Sequence, residues 1–307
     1  MLMNEEYGLL SISSKTGELH NKQIFTILKR NQDRILKDKL YYDEKLDMEN
    51  KEKYYDGLPI ATPMDDDLYS KISDLLSNTH TNKLSYRQSR MELHSWVDLR
   101  EDGQSQSIYS GNRMDPEQIL KQELQILERT ISQLDISSTD SQFNEKLNQL
   151  EEKLIYNVEH VIPQSWFGKR SPMVGDLHHL YACEKDCNSF RSNIPYYDFI
   201  NYPVHINSEI IKNSCGKREG TVRFEPEGGK GEVSRSALYF LLRYPGKIIN
   251  SNKDNLDIVL CKKWHKEHPV SLHEKHRNAA IFEIQGNRNP LIDFPESVDN
   301  IDFSLGL

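Results

Sequence analysis

Long apolar runs are absent, cysteine is scarce, and positive charge is in deficit. No stretch of this 307-residue chain approaches the roughly 18 to 20 apolar residues that a membrane span needs. The mean hydropathy of -0.71 is that of a polar, water-exposed protein. The opening run MLMNEEYGLLSISSKTGELH carries acid where a secretory signal carries base, and it lacks an apolar core segment. The expectation from this is a cytoplasmic protein with no membrane partner, export by a non-standard route being left open. Four cysteines (Cys183, Cys187, Cys215 and Cys261) are too few for a disulfide-built scaffold. Three readings of them stay open: a structural zinc at Cys183, Cys187 and Cys215 with Cys261 or a histidine as fourth ligand, a disulfide, or ordinary thiols. The formal net charge of -8 argues mildly against a dedicated nucleic-acid module.

That charge is uneven. Acid crowds into 41–67 and 115–152, whereas the stretch from Lys169 to Arg243 is rich in Lys and Arg, which allows a local basic face on an acidic chain. Residues 1–53 read as a charged, helical extension, with a helical pattern from Gln23 to Leu40 and then the run YYDEKLDMENKEKYYDG, either loosely ordered or an exposed helix end. Helices are expected from Asp65 and over Tyr86 to Leu99. Asp115-Pro116-Glu117 is a helix start, with an N-cap, a proline at N1 and an acidic first turn. Leu120, Leu124, Leu127, Ile131 and Leu134 follow as one apolar seam, and Phe143, Leu147, Leu150 and Leu154 as a second. Residues 115–153 therefore read as an inserted helical hairpin, packed on the domain or serving as a dimerisation arm. Buried helices are expected over Gly231 to Tyr244 and Ser271 to Ile284, and the acidic tail 297–307 is expected to be peripheral.

Chemistry concentrates in 157–193, NVEHVIPQSWFGKRSPMVGDLHHLYACEKDCNSFRSN. Hydrolysis of a phosphodiester needs a base for water, a cation on the phosphate and a cationic side chain for developing charge. A histidine titrating near neutrality suits the first role, and His160 is the candidate. A carboxylate with an amide oxygen makes a hard, oxygen-only partial shell suited to magnesium, and Glu159 with Asn188 supplies it. Neighbours on a regular strand point to opposite faces, so Glu159 and His160 can share a site only where the strand ends or bends. Pro163 provides for that.

These residues resemble the endonuclease I family, whose active site is a ββα-metal (His-Me) finger. The resemblance rests on Glu159-His160-Val161-Ile162-Pro163, on Asp176-Leu177-His178-His179-Leu180, and on Asn188-Ser189-Phe190-Arg191-Ser192-Asn193. It continues through FEP, KGEVSRSALYFLLRYPG, KWHKEHPVSLHEKHRN and IQGNRNPLIDFPE, covering about 54–296 without the inserted hairpin. It implies an α+β fold: a mostly helical nuclease domain, 54–296, around a finger at 157–193. It implies a metal-dependent endonuclease of low sequence preference for DNA and also RNA, leaving 5′-phosphate ends. His160 would be the base, with Glu159 and Asn188 holding one Mg2+, Mn2+ or Ca2+. Two departures stand out: His179 occupies a position where Asn is commoner, and the inter-strand loop is short, which leaves Lys169 or Arg170 as candidates to substitute in phosphate neutralisation.

Each candidate has a plainer alternative. Asn188 could be a helix N-cap. Arg191 and Arg170 are candidates for the charge on the transferring phosphate, and Lys169 and Arg235 for substrate contact, against intramolecular ion pairs or solvated loop charges. Trp166 is a core or a base-stacking residue, and His178 steadies the finger. The alternatives for the whole chain are a catalytically idle nucleic-acid-binding scaffold, or an effector nuclease restrained by an inhibitor or partner protein.

Overall fold

The computed structural model describes residues 14–58, 60, 67–132, 156–199 and 210–307. Among these, ten α-helices surround three small antiparallel sheets, an α+β arrangement dominated by helix. The helices are α1 (Ser14–Leu36), α2 (Glu44–Tyr54), α3 (Leu68–Thr79), α4 (Tyr86–Glu92), α5 (Pro116–Ser132), α6 (Lys185–Arg191), α7 (Lys230–Arg243), α8 (Ile258–Glu267), α9 (Leu272–Gln285) and α10 (Pro290–Asp293). The sheets pair β1 (Ser105–Gln106) with β2 (Arg113–Met114), β3 (Tyr156–His160) with β4 (Leu180–Glu184), and β5 (Ile210–Asn213) with β6 (Gly216–Glu219) and β7 (Arg223–Pro226).

Local chemistry fixes the helix ends. Ser85 with Gln88 and Ser271 with Glu274 form reciprocal capping boxes at α4 and α9. Gly286 closes α9 at φ 91°, where a Cβ would meet the carbonyl oxygen of Thr79 at 2.6 Å, so only glycine fits. The predicted helix over Tyr86 to Leu99 is divided: α4 passes into a π-turn at Leu93–Val97. The DLHHL segment starts as a 3-10 turn at Leu177–His179, because the Asp176 carboxylate accepts the His178 amide, and becomes strand only at Leu180.

Two cores hold the domain. Helix α7 is buried nearly all round, as a helix threaded through a core must be. Its Leu238, Phe240 and Leu241 pack with Val161, Trp166, Phe167 and Trp264. The second core joins Ile24, Leu28 and Ile35 of α1 to Leu93, Val97, Leu120, Leu124, Leu180 and Ile281.

Two expectations change. The extension does not stand apart, since α1 supplies the second core; of the two readings of the charged run after it, the helix is the one found, as α2. There the guanidinium of Arg288 pairs with Asp47 at 2.8 Å. The tail is not peripheral, since Val298, Ile301 and Phe303 enter the main core. Polar composition hid these contacts, because a few apolar residues among many charges suffice to anchor a segment. Leu120 and Leu124 pack α5 onto the domain, and the second seam of the inserted hairpin lies outside the described residues.

Candidate active site

Strands β3 and β4 form a hairpin in which Glu159 faces Tyr181 and His160 faces Leu180 across the ladder. Helix α6 follows β4 directly and packs back on β3. Alternation sends the two side chains apart. Glu159 turns toward Tyr109 and Arg191, and His160 toward Val174, Tyr86 and His179. His160 is the last residue of β3, where the ladder gives way to a loop through Pro163.

The proton position on His160 follows from one contact. Its Nε2 lies 3.0 Å from the Val174 carbonyl oxygen, which can only accept, so Nε2 carries the hydrogen and Nδ1 keeps its lone pair. The side-chain nitrogen of Gln164 stands 3.3 Å from that Nδ1. Burial, with His179 adding to it, pushes the imidazole well below its ordinary range, while the Val174 carbonyl pulls the other way. A neutral ring with a defined acceptor nitrogen results. The loop that receives it is fixed at successive carbonyls: His179 Nε2 donates to Met173 at 2.6 Å, His160 to Val174, and the Ser89 hydroxyl to Gly175 at 2.5 Å.

Glu159 is 1% exposed, and burial pushes its carboxyl up to about 7 against the pull of Arg191 and of the Tyr109 hydroxyl. Tyr109 donates at 2.7 Å and Arg191 lies at 3.3 Å, both on Oε1. Among the described residues no partner reaches Oε2. Asn188 is not the N-cap of α6, a place taken by Glu184. It sits inside the helix, and its carboxamide has no hydrogen-bond partner among the described residues. Asparagine is a poor interior helix residue, so the unpartnered amide of this half-buried side chain is available for another purpose. Among the described residues there is no cluster of three or more His, Cys, Asp or Glu side chains suited to a metal. Glu159 and Asn188 offer a carboxylate and an amide oxygen, and with water that donor chemistry fits a hard divalent ion.

The remaining candidates separate by burial. Lys169 and Arg170 are exposed on the loop after His160. Arg191 faces inward instead: it donates to the carbonyls of Val161 at 2.7 Å and Ser192 at 3.0 Å and stacks on Tyr196, so it clamps the strand end rather than meeting a phosphate. Arg235 is corrected in the same way, being a buried partner of both Glu274 oxygens and of the His268 carbonyl. The zinc reading is also corrected, because Cys187 and Cys215 form a disulfide and Cys183 is a buried thiol. Trp166 is packed in the core, and His178 bonds the Asn287 carbonyl at 3.2 Å. Sequence reasoning missed Gln164, whose 3-10 turn returns it to His160, and Tyr109, fifty positions from the carboxylate it touches.

Comparison with known proteins decides the family. The family profile described as Endonuclease I matches residues 65–296. The chain belongs to the endonuclease I family. This endonuclease I family member is 34% identical over 163 residues to the extracellular ribonuclease of Bacillus amyloliquefaciens, covering 48% of this chain and 53% of that protein. It is 26% identical over 160 residues to an extracellular and to a periplasmic deoxyribonuclease of Aeromonas hydrophila, covering 44% of this chain and 64% and 62% of those proteins. The chain thus spans about half the length of the ribonuclease and somewhat less than two thirds of the deoxyribonucleases. The expectation of a cytoplasmic protein is corrected by these relatives, which are named extracellular or periplasmic.

Proposed function

We propose that this protein is a metal-dependent endonuclease that hydrolyses phosphodiester bonds of DNA and RNA, with β3, β4 and α6 as a ββα-metal finger. The observation that carries the reading is the fixed tautomer of His160: a neutral imidazole whose Nε2–H is committed to a backbone carbonyl and whose Nδ1 is left to accept. Glu159 and Asn188 would hold one divalent ion, magnesium or a substitute such as manganese or calcium. Such an ion supplies charge stabilisation for the phosphoryl oxygens and the leaving oxygen. His160 Nδ1 takes a proton from water as the water oxygen bonds to phosphorus. The bond to the 3′ oxygen breaks, that oxygen takes a proton from solvent, and a 5′ phosphate remains. Arg191 keeps Glu159 and the strand end in register, and Lys169 and Arg170 meet the phosphate backbone from the exposed loop. Relatives named ribonuclease and deoxyribonuclease support the inclusion of both substrates. Action outside the cytoplasm fits their names and the Cys187–Cys215 disulfide, a bond that persists in oxidising compartments.

The test is cleavage of plasmid DNA and single-stranded RNA with magnesium and with chelator, by the wild type and by His160→Ala. Metal-dependent cutting that falls by roughly 100-fold or more in the variant is expected. Products ending in a cyclic phosphate, or a fully active variant, would refute the mechanism.

A further inference from the structure

Gln164 is not accounted for by the scheme above. It opens the 3-10 turn Gln164–Trp166, four residues past the base. Its backbone is held there: the Lys169 amide donates to its carbonyl at 2.9 Å, and Trp166, next but one, is locked in the core. The side chain is half-buried and ends with its nitrogen 3.3 Å from His160 Nδ1, the lone pair that must receive a proton. Its amide oxygen has no partner among the described residues. An attacking water has two hydrogens, and Nδ1 takes one. Unless the second is also held, the water's lone pair is not aimed at phosphorus. A carboxamide suits this double duty, because its nitrogen donates and its oxygen accepts from the same position. A glutamine amide orients attacking water in this way in GTP-hydrolysing switch proteins.

We propose that Gln164 is a positioning residue for the nucleophilic water: its amide guards the open nitrogen of His160 at rest and, when water enters, accepts the water's second hydrogen. This rests on the assignment of His160 as base. The amide turns about its last side-chain bond, and the water oxygen comes to lie between Nδ1 and the phosphorus. No charge is added beside the phosphate, which a carboxylate at this position would do.

The experiment compares steady-state cleavage of one DNA substrate by the wild type, Gln164→Met, Gln164→Leu, Gln164→Glu and His160→Ala with saturating magnesium. Thermal midpoints are measured alongside. Gln164→Met keeps the length and removes both polar atoms. We expect kcat to drop roughly 10- to 100-fold with KM within about twofold, as misplacement of a reactant does. Gln164→Glu keeps an accepting oxygen and should recover part of kcat at the expense of a higher KM. Unchanged kcat in folded Gln164→Met would overturn the proposal, and so would a rise in KM alone, which would make Gln164 a substrate contact. Should Gln164→Met lose its fold, the Gln164→Glu comparison decides: kcat no better than that of Gln164→Leu in folded protein refutes the accepting role. Failure of the parent reading looks different, since His160→Ala would then cut as well as the wild type.

Discussion

Replacing Arg235 by methionine separates a buried ion pair from a substrate contact. Arg235 and Glu274 are each about 1% exposed, and the guanidinium spans both carboxylate oxygens while its third nitrogen donates to the His268 carbonyl at 2.8 Å. Methionine fills the stem volume but leaves Glu274 charged, buried and without its cation. Breaking one side of such a pair costs about 3 to 5 kcal/mol. Converting the acid as well, in Arg235→Met with Glu274→Gln, removes the stranded charge. The glutamine can still accept from Ser271 in the capping box, so most of the loss should return. The assay is urea unfolding followed by fluorescence of the buried Trp166 and Trp264, with the slope checked so that midpoint changes report stability. Cleavage per folded molecule is measured at a temperature where every variant is native, and KM should be unchanged. A single variant that keeps wild-type stability while losing affinity for nucleic acid would refute the ion-pair reasoning and return Arg235 to the substrate face.

Removing the disulfide through Cys187→Ser with Cys215→Ser opens a 28-residue loop, and the chain-entropy argument puts the loss at about 3 to 4 kcal/mol, read as a lower urea midpoint. Acid should destabilise the fold well before carboxylates titrate. Burial holds His178 and His276 down to about 4 and His94 to about 3, so below the unfolded value of about 6.5 the unfolded chain binds more protons. Stability then falls as pH drops, by up to about 1.4 kcal/mol per unit for each ring, with Glu159 opposing because its raised carboxyl is protonated first in the fold. Unfolding midpoints at pH 7.5 and 5 that coincide would contradict this. Lys169→Ala with Arg170→Ala should raise KM, leave kcat within about twofold, and lower the slope of log affinity against log salt by about 1 to 2. An unchanged slope would remove these side chains from the phosphate contacts.

The sequence was most legible where chemistry is local. Glu159, His160 and Asn188 lie in short runs whose order along the chain is also their order in the hairpin and helix. Helix starts at Ser271 and Asp115-Pro116 were equally visible, since capping depends on neighbours within three residues. Arg191 and Arg235 misled because a cationic residue type carries no record of its burial. What neutralises Arg235 is 39 positions away, and what Arg191 binds is mostly backbone carbonyl, which every sequence possesses. Composition likewise hid the roles of α1 and of the last residues, whose few apolar side chains each meet a core built from distant segments. The disulfide remained one reading among three, because pairing depends on how α6 and the β5–β6 turn approach one another.

The loop at 173–175 has a consequence for how this site can vary. The Nε2 side of His160 is tied to main-chain oxygen, not to a side chain, and so are the two contacts that fix the loop on either side. Exchanging Met173 or Val174 for another residue leaves every one of those acceptor atoms in place. The state of the base is thereby insulated from drift in its own cradle. The exception is Gly175, where a Cβ would stand 2.2 Å from the carbonyl oxygen of Leu84. There a single methyl group would push the loop off α4 and take the Val174 oxygen with it, so a mutation that never touches an ionisable side chain could silence the histidine.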